Sequence, residues 1–337
     1  MLENMVYYES GSTNPAFNLA LEEALAGHVR PNGPGCFMLW QNAPAVIIGL
    51  HQNARAEVNL AELASRGIKM VRRLTGGGAV YHDLGNLNFT FILPQKQGER
   101  ITNGELLAPL LGYLASLGLE AGMEGRNDIT LKGKGKISGL ASRQTPGKYL
   151  LHGTILYNVD MGALESVLLV DPAKYKSKGV HSVRARVTNL HEHTGAGLTG
   201  LWQGIRRAYP AKDGELPDSV HTLAARLEKE RYSQDAWNLG MSPPGDIRLA
   251  ARFPFGSLEL NIATRGNAIS AAQITGDFLT PSNTEGQIPV TGLAEALVGL
   301  PSHDHSAWAE AWENFDFSRI FYNCENGGEI LTWLRQA

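Results

Sequence analysis

Two short basic, glycine-rich segments contain the residue types that bind and neutralise a phosphate or a carboxylate. The first, residues 72–83, reads RRLTGGGAVYHD. Its consecutive glycines can adopt positive φ and let a ligand approach main-chain N–H groups. Successive exposed amides form an anion-binding concavity, and Arg72 and Arg73 add charge and forked donors. Taken alone, the segment is equally consistent with a glycine-rich turn whose arginines are solvated.

The second segment, residues 125–143, reads GRNDITLKGKGKISGLASR and predicts two strands joined by a Gly/Lys turn. We expect Lys132 and Lys134 to be solvated. Lys136 immediately precedes Ile-Ser-Gly, a sequence that could hold its ammonium against a cleft, where it would offset repulsion between an anionic nucleophile and a phosphate. Asp128 is a candidate Mg²⁺ ligand, because Mg²⁺ prefers one or two carboxylates plus phosphate oxygens. A turn or strand-edge role for Asp128 is equally consistent with the sequence.

A third basic cluster, in residues 174–186, has no acidic residue and contains Gly179, which predicts a loop rather than a helix. Such a run is usually a solvated surface. The alternative is a loop that closes over a polyanion such as a nucleoside triphosphate. Its cations are Lys174, Lys176, Lys178, Arg184 and Arg186.

The composition predicts a globular, intracellular protein. The 337 residues are 43% hydrophobic and 19% charged, enough for a sizeable core in two domains. A net charge of −3 gives no reason to expect nucleic acid as a partner. Cys36 and Cys324 lie far apart, which suits a reducing cytoplasm. The first ten residues lack a signal-peptide pattern, and no apolar run approaches the roughly 20 residues that span a membrane.

Hydrophobic patterning predicts the elements that must position these segments. Asn14 and Pro15 are a typical helix start, and the leucines of residues 106–117 predict an amphipathic helix. Residues 36–40 and 45–48 predict the two strands of a hairpin, and residues 89–93 alternate as in a half-buried strand. Further strands are expected at 6–8 and 150–157, and a further helix at 218–227.

The segment GMSPPGD at residues 240–246 predicts an interdomain linker, because its prolines and glycines interrupt regular structure. We therefore predict an N-terminal domain over residues 1–240, a linker over 241–247 and a smaller C-terminal α+β domain over 248–337. In the last, a hairpin is expected to precede helices near residues 293–297, 308–312 and 330–334.

Together, the motifs resemble the lipoate–protein ligase A family, two-domain bacterial enzymes that activate lipoic acid with ATP and attach it to a lysine. The resemblance covers nearly the whole chain, and the order and spacing of the motifs are specific, although Leu74 stands where the family has a small polar residue. The motifs are FNLA from residue 17, RRLTGGGAVYHD at 72–83, GRND at 125–128, KISG at 136–139, HGT at 152–154 and SVRARVTN at 182–189.

The resemblance implies a large domain of mixed β-sheets flanked by helices, with Lys136 as the catalytic residue that contacts the lipoyl carbonyl and the α-phosphate. The implied ATP or adenylate residues are Arg73, Gly78, Ala79, Val80, Tyr81, Asp128, Lys136, Lys178 and Arg184. The implied lipoate residues are Arg73, Thr75, Gly76, Gly77, His82, Lys136, Ser138, Ala141 and His152. Candidate walls of an apolar tunnel are Val46, Ile47, Ile48, Val71 and Val80. For His82 and His152, a role as core or strand histidines with satisfied hydrogen bonds is favoured over a role as general bases.

The implied chemistry uses ATP and Mg²⁺, with lipoate as substrate. Its protein partners would be apo lipoyl domains, such as those of 2-oxoacid dehydrogenase E2 subunits and the glycine cleavage H protein. One rival is an acyltransferase of the same superfamily, which moves octanoyl or lipoyl groups through a cysteine thioester without ATP. Another is a non-catalytic, nucleotide-responsive binding module.

Overall fold

The computed structural model describes residues 2–96, 98–125, 127–169, 186–240, 246–281 and 290–337. Its main feature is a mixed sheet of eight strands. These strands are β1 (Met5–Glu9), β2 (Gly35–Trp40), β6 (Asn86–Pro94), β7 (Ala121–Glu124), β8 (Asp128–Leu131), β9 (Gly135–Thr145), β10 (Lys148–Leu156) and β11 (Lys212–Asp213). Their spatial order is β11-β1-β2-β6-β10-β9-β8-β7. No helix among the described residues is long and apolar enough to cross a membrane.

A smaller sheet carries the first glycine-rich segment. In it, β3 (Ala45–Ile48) lies between β4 (Lys69–Arg72), which is parallel to it, and β5 (Val80–His82), which is antiparallel. The RRLTGGGAVYHD segment therefore begins in β4, crosses over the end of β3 and returns as β5. This connection places the glycines at one end of the small sheet.

Helices cover both sheets. The helix α1 (Pro15–His28) begins at Asn14, whose side chain accepts a hydrogen bond from the Ala16 N–H, with Pro15 in the first turn. The other helices of this part are α2 (Ala54–Glu57), α3 (Leu60–Arg66), α4 (Asn103–Ser116), α5 (Met161–Val167), α6 (Leu198–Ala208), α7 (Asp218–Leu227) and α8 (Asp235–Asn238).

The C-terminal part has its own core. Three antiparallel strands, β12 (Ile247–Phe253), β13 (Gly256–Arg265) and β14 (Ala268–Gly276), pack against three helices around Trp308 and Trp312. The helices are α9 (Val290–Glu295), α10 (His305–Trp312) and α11 (Gly328–Gln336). The predicted fold class, a large mixed-sheet domain with a smaller α+β domain, is confirmed.

Two local predictions were wrong. The strands β2 and β3 do not form a hairpin: β2 pairs with β1 and β6 in the main sheet, whereas β3 pairs with β4 and β5. Residues 41–44 therefore join two sheets. Residues 89–93 are buried on both faces, because β6 lies inside the main sheet: one face packs against α4 and α6, and the other against α1 and the small sheet. In addition, β12 begins at Ile247, so the last residue of the predicted linker lies in a strand.

Candidate active site

A cavity of about 450 Å³ is lined by residues of both sheets. From the small sheet and its loop come Ile47, Arg73 and the turn at Gly78, Ala79 and Val80. From the main sheet come residues of β2, β6, β8, β9 and β10, and from the C-terminal part come Arg252, Pro254 and Asp277. The cavity is therefore the place where the two segments singled out in the sequence meet.

One end of the cavity, which we name the cation end, consists of Asp128, Lys136 and Arg186. The Lys136 Nζ lies 2.7 Å from Asp128 Oδ1, and the Arg186 guanidinium pairs with Asp128 Oδ2. Burial alone would raise the pKa of Asp128, but the two cations outweigh it and hold that pKa below its usual value. The carboxylate therefore stays ionised and holds both cations beside the cavity.

A glycine lies directly beside the Lys136 ammonium. A Cβ at Gly139 would lie 3.1 Å from the Lys136 Nζ, so a side chain there would crowd the ammonium. The Gly139 N–H donates to Thr154 Oγ1 at 3.0 Å, which ties β9 to β10 at this point. The small residue in Ile-Ser-Gly thus leaves the space that the ammonium occupies.

The arginines of the first segment have different roles. Arg72 is fully buried and donates to the carbonyls of Gly49, Leu50, Gln52 and Asn238, so it cross-links the end of the small sheet. Arg73 lines the cavity and donates to the carbonyls of Ile47, Gly76 and Gly78.

Arg73 thereby holds the glycine loop in a fixed shape. Gly77 has φ of +89°, a conformation that glycine adopts without strain. At Gly49, a Cβ would overlap the Gly77 carbonyl oxygen, so the loop also requires glycine across from it. The turn at Gly78 is open, with no atom within 4 Å of a built Cβ.

The C-terminal part packs directly on this loop. The Gly276 N–H donates to the His51 carbonyl at 2.8 Å, and the His51 ring stacks on Phe278 with centroids 4.9 Å apart. A Cβ at Gly76 would overlap the Phe278 carbonyl oxygen and lie 3.2 Å from Leu279 Cα. Gly76 is therefore required for the two parts to fit together.

A buried network of polar side chains connects helix α1 to the glycine loop. The Glu22 carboxylate accepts from His152 Nδ1 at 2.8 Å and from Thr90 Oγ1 at 2.7 Å. The His152 Nε2 pairs with Thr75 Oγ1 at 2.8 Å, and Arg73 Nε donates to the same oxygen at 2.9 Å. All five side chains are buried, so removal of one member would leave polar atoms of its partners without water to replace the lost hydrogen bond.

The opposite end of the cavity, which we name the histidine end, consists of Trp40, His82 and Asn88. Trp40 is opposite Asn88 between β2 and β6, and Asn88 is opposite Thr154 between β6 and β10. Asp128 is opposite Gly139 between β8 and β9. These pairs form one row of residues across five neighbouring strands, from Trp40 in β2 to Asp128 in β8. Four strand spacings separate the two ends of the row by about 19 Å.

At the histidine end, His82 is neutral. Burial, with smaller contributions from Arg73 and His152, lowers the pKa of His82 to about 3. Its ring lies 6.2 Å from that of Trp40.

Most of the predicted site residues line the cavity. They are Arg73, Gly78, Ala79, Val80, His82, Asp128, Lys136, Ala141 and His152. Five other described residues do not line it. Thr75 acts through Arg73 and His152, Gly76 and Gly77 face the C-terminal part, and the Tyr81 side chain packs in the core near α3 and α5. Ser138 is fully buried, and its Oγ has no hydrogen-bond partner among the described residues. Lys178 and Arg184 lie outside the described residues.

Of the expected tunnel walls, only Ile47 and Val80 line the cavity. Val46 and Ile48 point to the core beside α2 and α3, and Val71 packs against α1. Sequence reasoning missed Glu22, Trp40, Asn88 and Thr90. Glu22 lies in a helix that was predicted from its apolar face. Trp40 and Thr90 lie in predicted strands to which no role in the site was given, and Asn88 immediately precedes one of them.

The comparisons with known proteins agree with this geometry. A model of the lipoyl protein ligase A/B catalytic domain matches residues 14–200. The chain belongs to the lipoyl protein ligase family. A second model, of the bacterial lipoate protein ligase C-terminus, matches residues 242–334, so this ligase family accounts for both parts of the fold.

Individual ligases are similar over most of the chain. Lipoate-protein ligase LplJ of Bacillus subtilis (strain 168) is 34% identical over 330 residues, which are 95% of this chain and 97% of that protein. LipL1 of P. falciparum, solved in complex with lipoate, has a TM-score of 0.77 over 99% of this chain and 100% of its own; at 22% identity it shows the fold. A lipoate-protein ligase A bound with ATP has a TM-score of 0.61 and 26% identity over 71% of this chain and 98% of its own.

Proposed function

We propose that this protein is an ATP-dependent lipoate–protein ligase, which joins lipoate to AMP and then transfers the lipoyl group to a lysine of an apo lipoyl domain. The proposal is carried by one observation: the Lys136 ammonium, held by Asp128, faces the same cavity as the open turn at Gly78, Ala79 and Val80. The similar proteins named as lipoate ligases, one of them bound with ATP, support the substrate classes.

In the first step, a lipoate carboxylate oxygen attacks the α-phosphorus of ATP. An acyl–oxygen–phosphorus linkage forms, and the bond to the leaving pyrophosphate breaks. Both reactants are anionic, so Lys136 and the main-chain N–H groups of the glycine loop stabilise the charge that accumulates in the transition state. Arg73 acts by fixing the shape of that loop, because its guanidinium binds the loop carbonyls.

In the second step, the ε-amine of the acceptor lysine attacks the acyl carbon of lipoyl-AMP. An amide forms, AMP leaves, and the amine loses a proton. Water would hydrolyse the mixed anhydride, so exclusion of water from the cavity favours transfer. We propose that Lys178 and Arg184, together with Arg186, contribute to the adenylate end of the site.

Mg²⁺ would bind with the ATP phosphates, and Asp128 is the residue that would hold it. Each Asp128 oxygen pairs with one cation and retains a further acceptor site. The ion would supply positive charge to the phosphates.

We also propose the domain boundaries, the acceptor proteins and the compartment of the enzyme. Residues 1–240 form the catalytic domain and residues 248–337 an accessory domain, as the extents of the two matching family models suggest. The expected acceptors are E2 subunits of 2-oxoacid dehydrogenases and the glycine cleavage H protein. Cytoplasmic action is consistent with two free cysteines.

The thioester rival is disfavoured by the positions of the cysteines. Cys36 is buried in the core against α1, where burial raises the pKa of its thiol, and Cys324 is buried in the core of the C-terminal part. Neither lines the cavity, so neither is placed to accept an acyl group from a substrate there.

The test is lipoate-dependent exchange of radiolabelled pyrophosphate into ATP, followed by addition of an apo lipoyl domain. We expect exchange that requires lipoate, and a mass increase of one lipoyl group on the acceptor that requires ATP. Octanoyl transfer from acyl carrier protein in the absence of nucleotide, with no exchange, would overturn the proposal in favour of the acyltransferase.

A further inference from the structure

We propose that Arg252, an arginine of the C-terminal part that lines the cavity, binds the β- and γ-phosphates of ATP and the pyrophosphate that leaves. The proposal rests on the proposed function, because it concerns the part of ATP that departs when lipoyl-AMP forms. It assigns to the C-terminal part a direct contact with the substrate, in addition to its packing on the glycine loop.

The strand β12 directs Arg252 away from the C-terminal core. Three other residues of this strand, Ile247, Leu249 and Phe253, pack against that core. Because side chains alternate along a strand, Arg252 lies on the opposite face. It lines the cavity, and 45% of its side-chain surface is accessible. Arg252 is therefore an accessible cation in the wall of the cavity.

The Asp277 carboxylate lies beside this cation. Asp277 Oδ1 accepts from the Ser257 N–H at 2.6 Å and from Ser257 Oγ at 2.9 Å, which fixes the orientation of the carboxylate. Asp277 Oδ2 lies 3.4 Å from Arg252 Nη1. Because a contact of this length is weak, the guanidinium keeps N–H donors for an anion in the cavity.

Contacts on both sides of Asp277 place the pair beside the glycine loop. The residue before it, Gly276, donates its N–H to the His51 carbonyl at 2.8 Å. The residue after it, Phe278, stacks on the His51 ring. Both contacts join the C-terminal part to the end of the small sheet. The pair is thereby fixed relative to the glycine loop, whose open turn lines the same cavity.

Phosphates are the anions that suit this position. The attack requires the α-phosphate at the Lys136 ammonium, and the pyrophosphate leaves on the side of the phosphorus opposite the lipoate oxygen. Arg252 lines the cavity from a different part of the chain than Lys136 and Arg186. An arginine fork matches a phosphate group with two parallel hydrogen bonds. Arg252 thus supplies positive charge to the leaving end of the triphosphate.

The first test compares the dissociation constants of ATP and AMP, measured by calorimetry with the full-length protein in excess Mg²⁺. AMP lacks the β- and γ-phosphates. We therefore expect Arg252→Ala to weaken ATP binding roughly tenfold, the effect of one charge-assisted hydrogen bond, and to leave AMP binding within about twofold. Arg252→Lys keeps the charge without the fork and should retain part of the affinity for ATP. Unchanged ATP binding in Arg252→Ala, or an equal loss for both nucleotides, overturns the proposal.

Arg335→Ala is the matched control. Arg335 belongs to the same part of the chain, has 43% of its side-chain surface accessible and pairs with Glu313, but it does not line the cavity. Its substitution should leave the binding of both nucleotides unchanged. An equal loss of ATP binding in Arg335→Ala and Arg252→Ala would attribute the effect to the net charge of the C-terminal part and overturn the proposal.

A second measurement separates the two steps of the reaction. Transfer of the lipoyl group from preformed lipoyl-AMP to an apo lipoyl domain involves no pyrophosphate. We expect Arg252→Ala to lower kcat/KM for pyrophosphate in the exchange reaction roughly tenfold and to leave the rate of this transfer unchanged. An equal fall in both reactions would show that the substitution acts on the fold of the site, which overturns the proposal.

Failure of the proposed function gives a different result. If the wild-type protein neither binds ATP nor exchanges pyrophosphate, the proposed function fails and this proposal falls with it. If the wild-type protein does both and Arg252→Ala matches it, only the proposal about Arg252 is overturned.

Discussion

The two ends of the cavity are built in opposite ways. At the cation end, Lys136 and Arg186 are partly exposed, with 20% and 35% of their side-chain surfaces accessible, and they share one carboxylate. At the histidine end, His82 and Asn88 are buried, and the adjacent Glu22–His152 pair is held by hydrogen bonds with Thr90 and Thr75. Charge is therefore concentrated at the cation end, whereas the histidine end is ordered by buried hydrogen bonds.

This contrast has an energetic consequence. A partly exposed cation can be removed without leaving an unsatisfied group in the core, so the cation end should tolerate substitution in terms of stability. In the buried network, removal of one member leaves its partners without hydrogen bonds. Variants at the two ends should therefore separate loss of activity from loss of stability.

The largest expected effect is that of Lys136→Ala. We expect lipoate-dependent pyrophosphate exchange to fall about a thousandfold, as when a preorganised transition-state donor is removed. The midpoint of thermal unfolding should change little, because Arg186 still pairs with Asp128. Lys132→Ala is the matched control: it removes a lysine of the same turn that is 80% exposed and pairs with Glu120. Retention of exchange in Lys136→Ala would end the assignment of its role.

The next effect concerns stability. Glu22→Ala removes the acceptor of His152 and Thr90, and we expect the free energy of unfolding to fall by about 3 kcal/mol. Denaturant unfolding measures this difference. Glu62→Ala, which removes a surface partner of Arg66, is the control and should be indistinguishable from wild type. Equal effects of the two substitutions would show that the buried network is not structural.

The contact between the glycine loop and the C-terminal part can be tested in the same way. Gly76→Ala introduces a Cβ where the Phe278 carbonyl lies, so we expect a loss of about 2 kcal/mol in the free energy of unfolding. Gly78→Ala has open space around the new methyl group and should retain wild-type stability. A stable Gly76→Ala protein would mean that the two parts separate easily at this contact.

The smallest effect is a pH dependence. The pKa of His82 is lowered to about 3 in the folded protein, against about 6.5 in the unfolded chain. The unfolded state therefore binds one more proton between these values, and stability is full above pH 6.5 and falls as the pH drops. His82→Gln should reduce the slope of unfolding free energy against pH by up to about 1.4 kcal/mol per pH unit near pH 5. His51, whose pKa is lowered to about 4, retains its own contribution in that variant. An identical slope in both proteins would contradict a neutral His82.

The sequence predicted what depends on local pattern. The leucine periodicity gave α4, and the Gly/Lys turn gave the antiparallel pair β8 and β9, which places Lys136 near Asp128. The sequence could not distinguish the role of Arg72 from that of Arg73. Their roles differ only because they bind different partners among residues 47–52 and at Asn238. The false hairpin at β2 and β3 has the same cause, since the choice between two sheets is made by β6 and β4.

The residues missed in the site are those whose function depends on distant partners. Glu22 has no signal in sequence that distinguishes it from Glu23, yet Glu22 is buried against His152 while Glu23 pairs with Arg231. Asn88 and Trp40 become neighbours only through the register of β2 and β6. Local motifs therefore predicted Asp128 and Lys136 at the cation end and only His82 at the histidine end, where Trp40 and Asn88 required the three-dimensional structure.

The central claim, that the cavity joins a carboxylate to the α-phosphorus of ATP, is tested most directly with lipoate labelled with ¹⁸O in both carboxylate oxygens. After complete transfer to an apo lipoyl domain, mass spectrometry of the nucleotide and the acceptor locates the label. We predict one ¹⁸O in the phosphate of AMP and one in the new amide. Label in inorganic phosphate together with ADP, or AMP without label, would contradict the account.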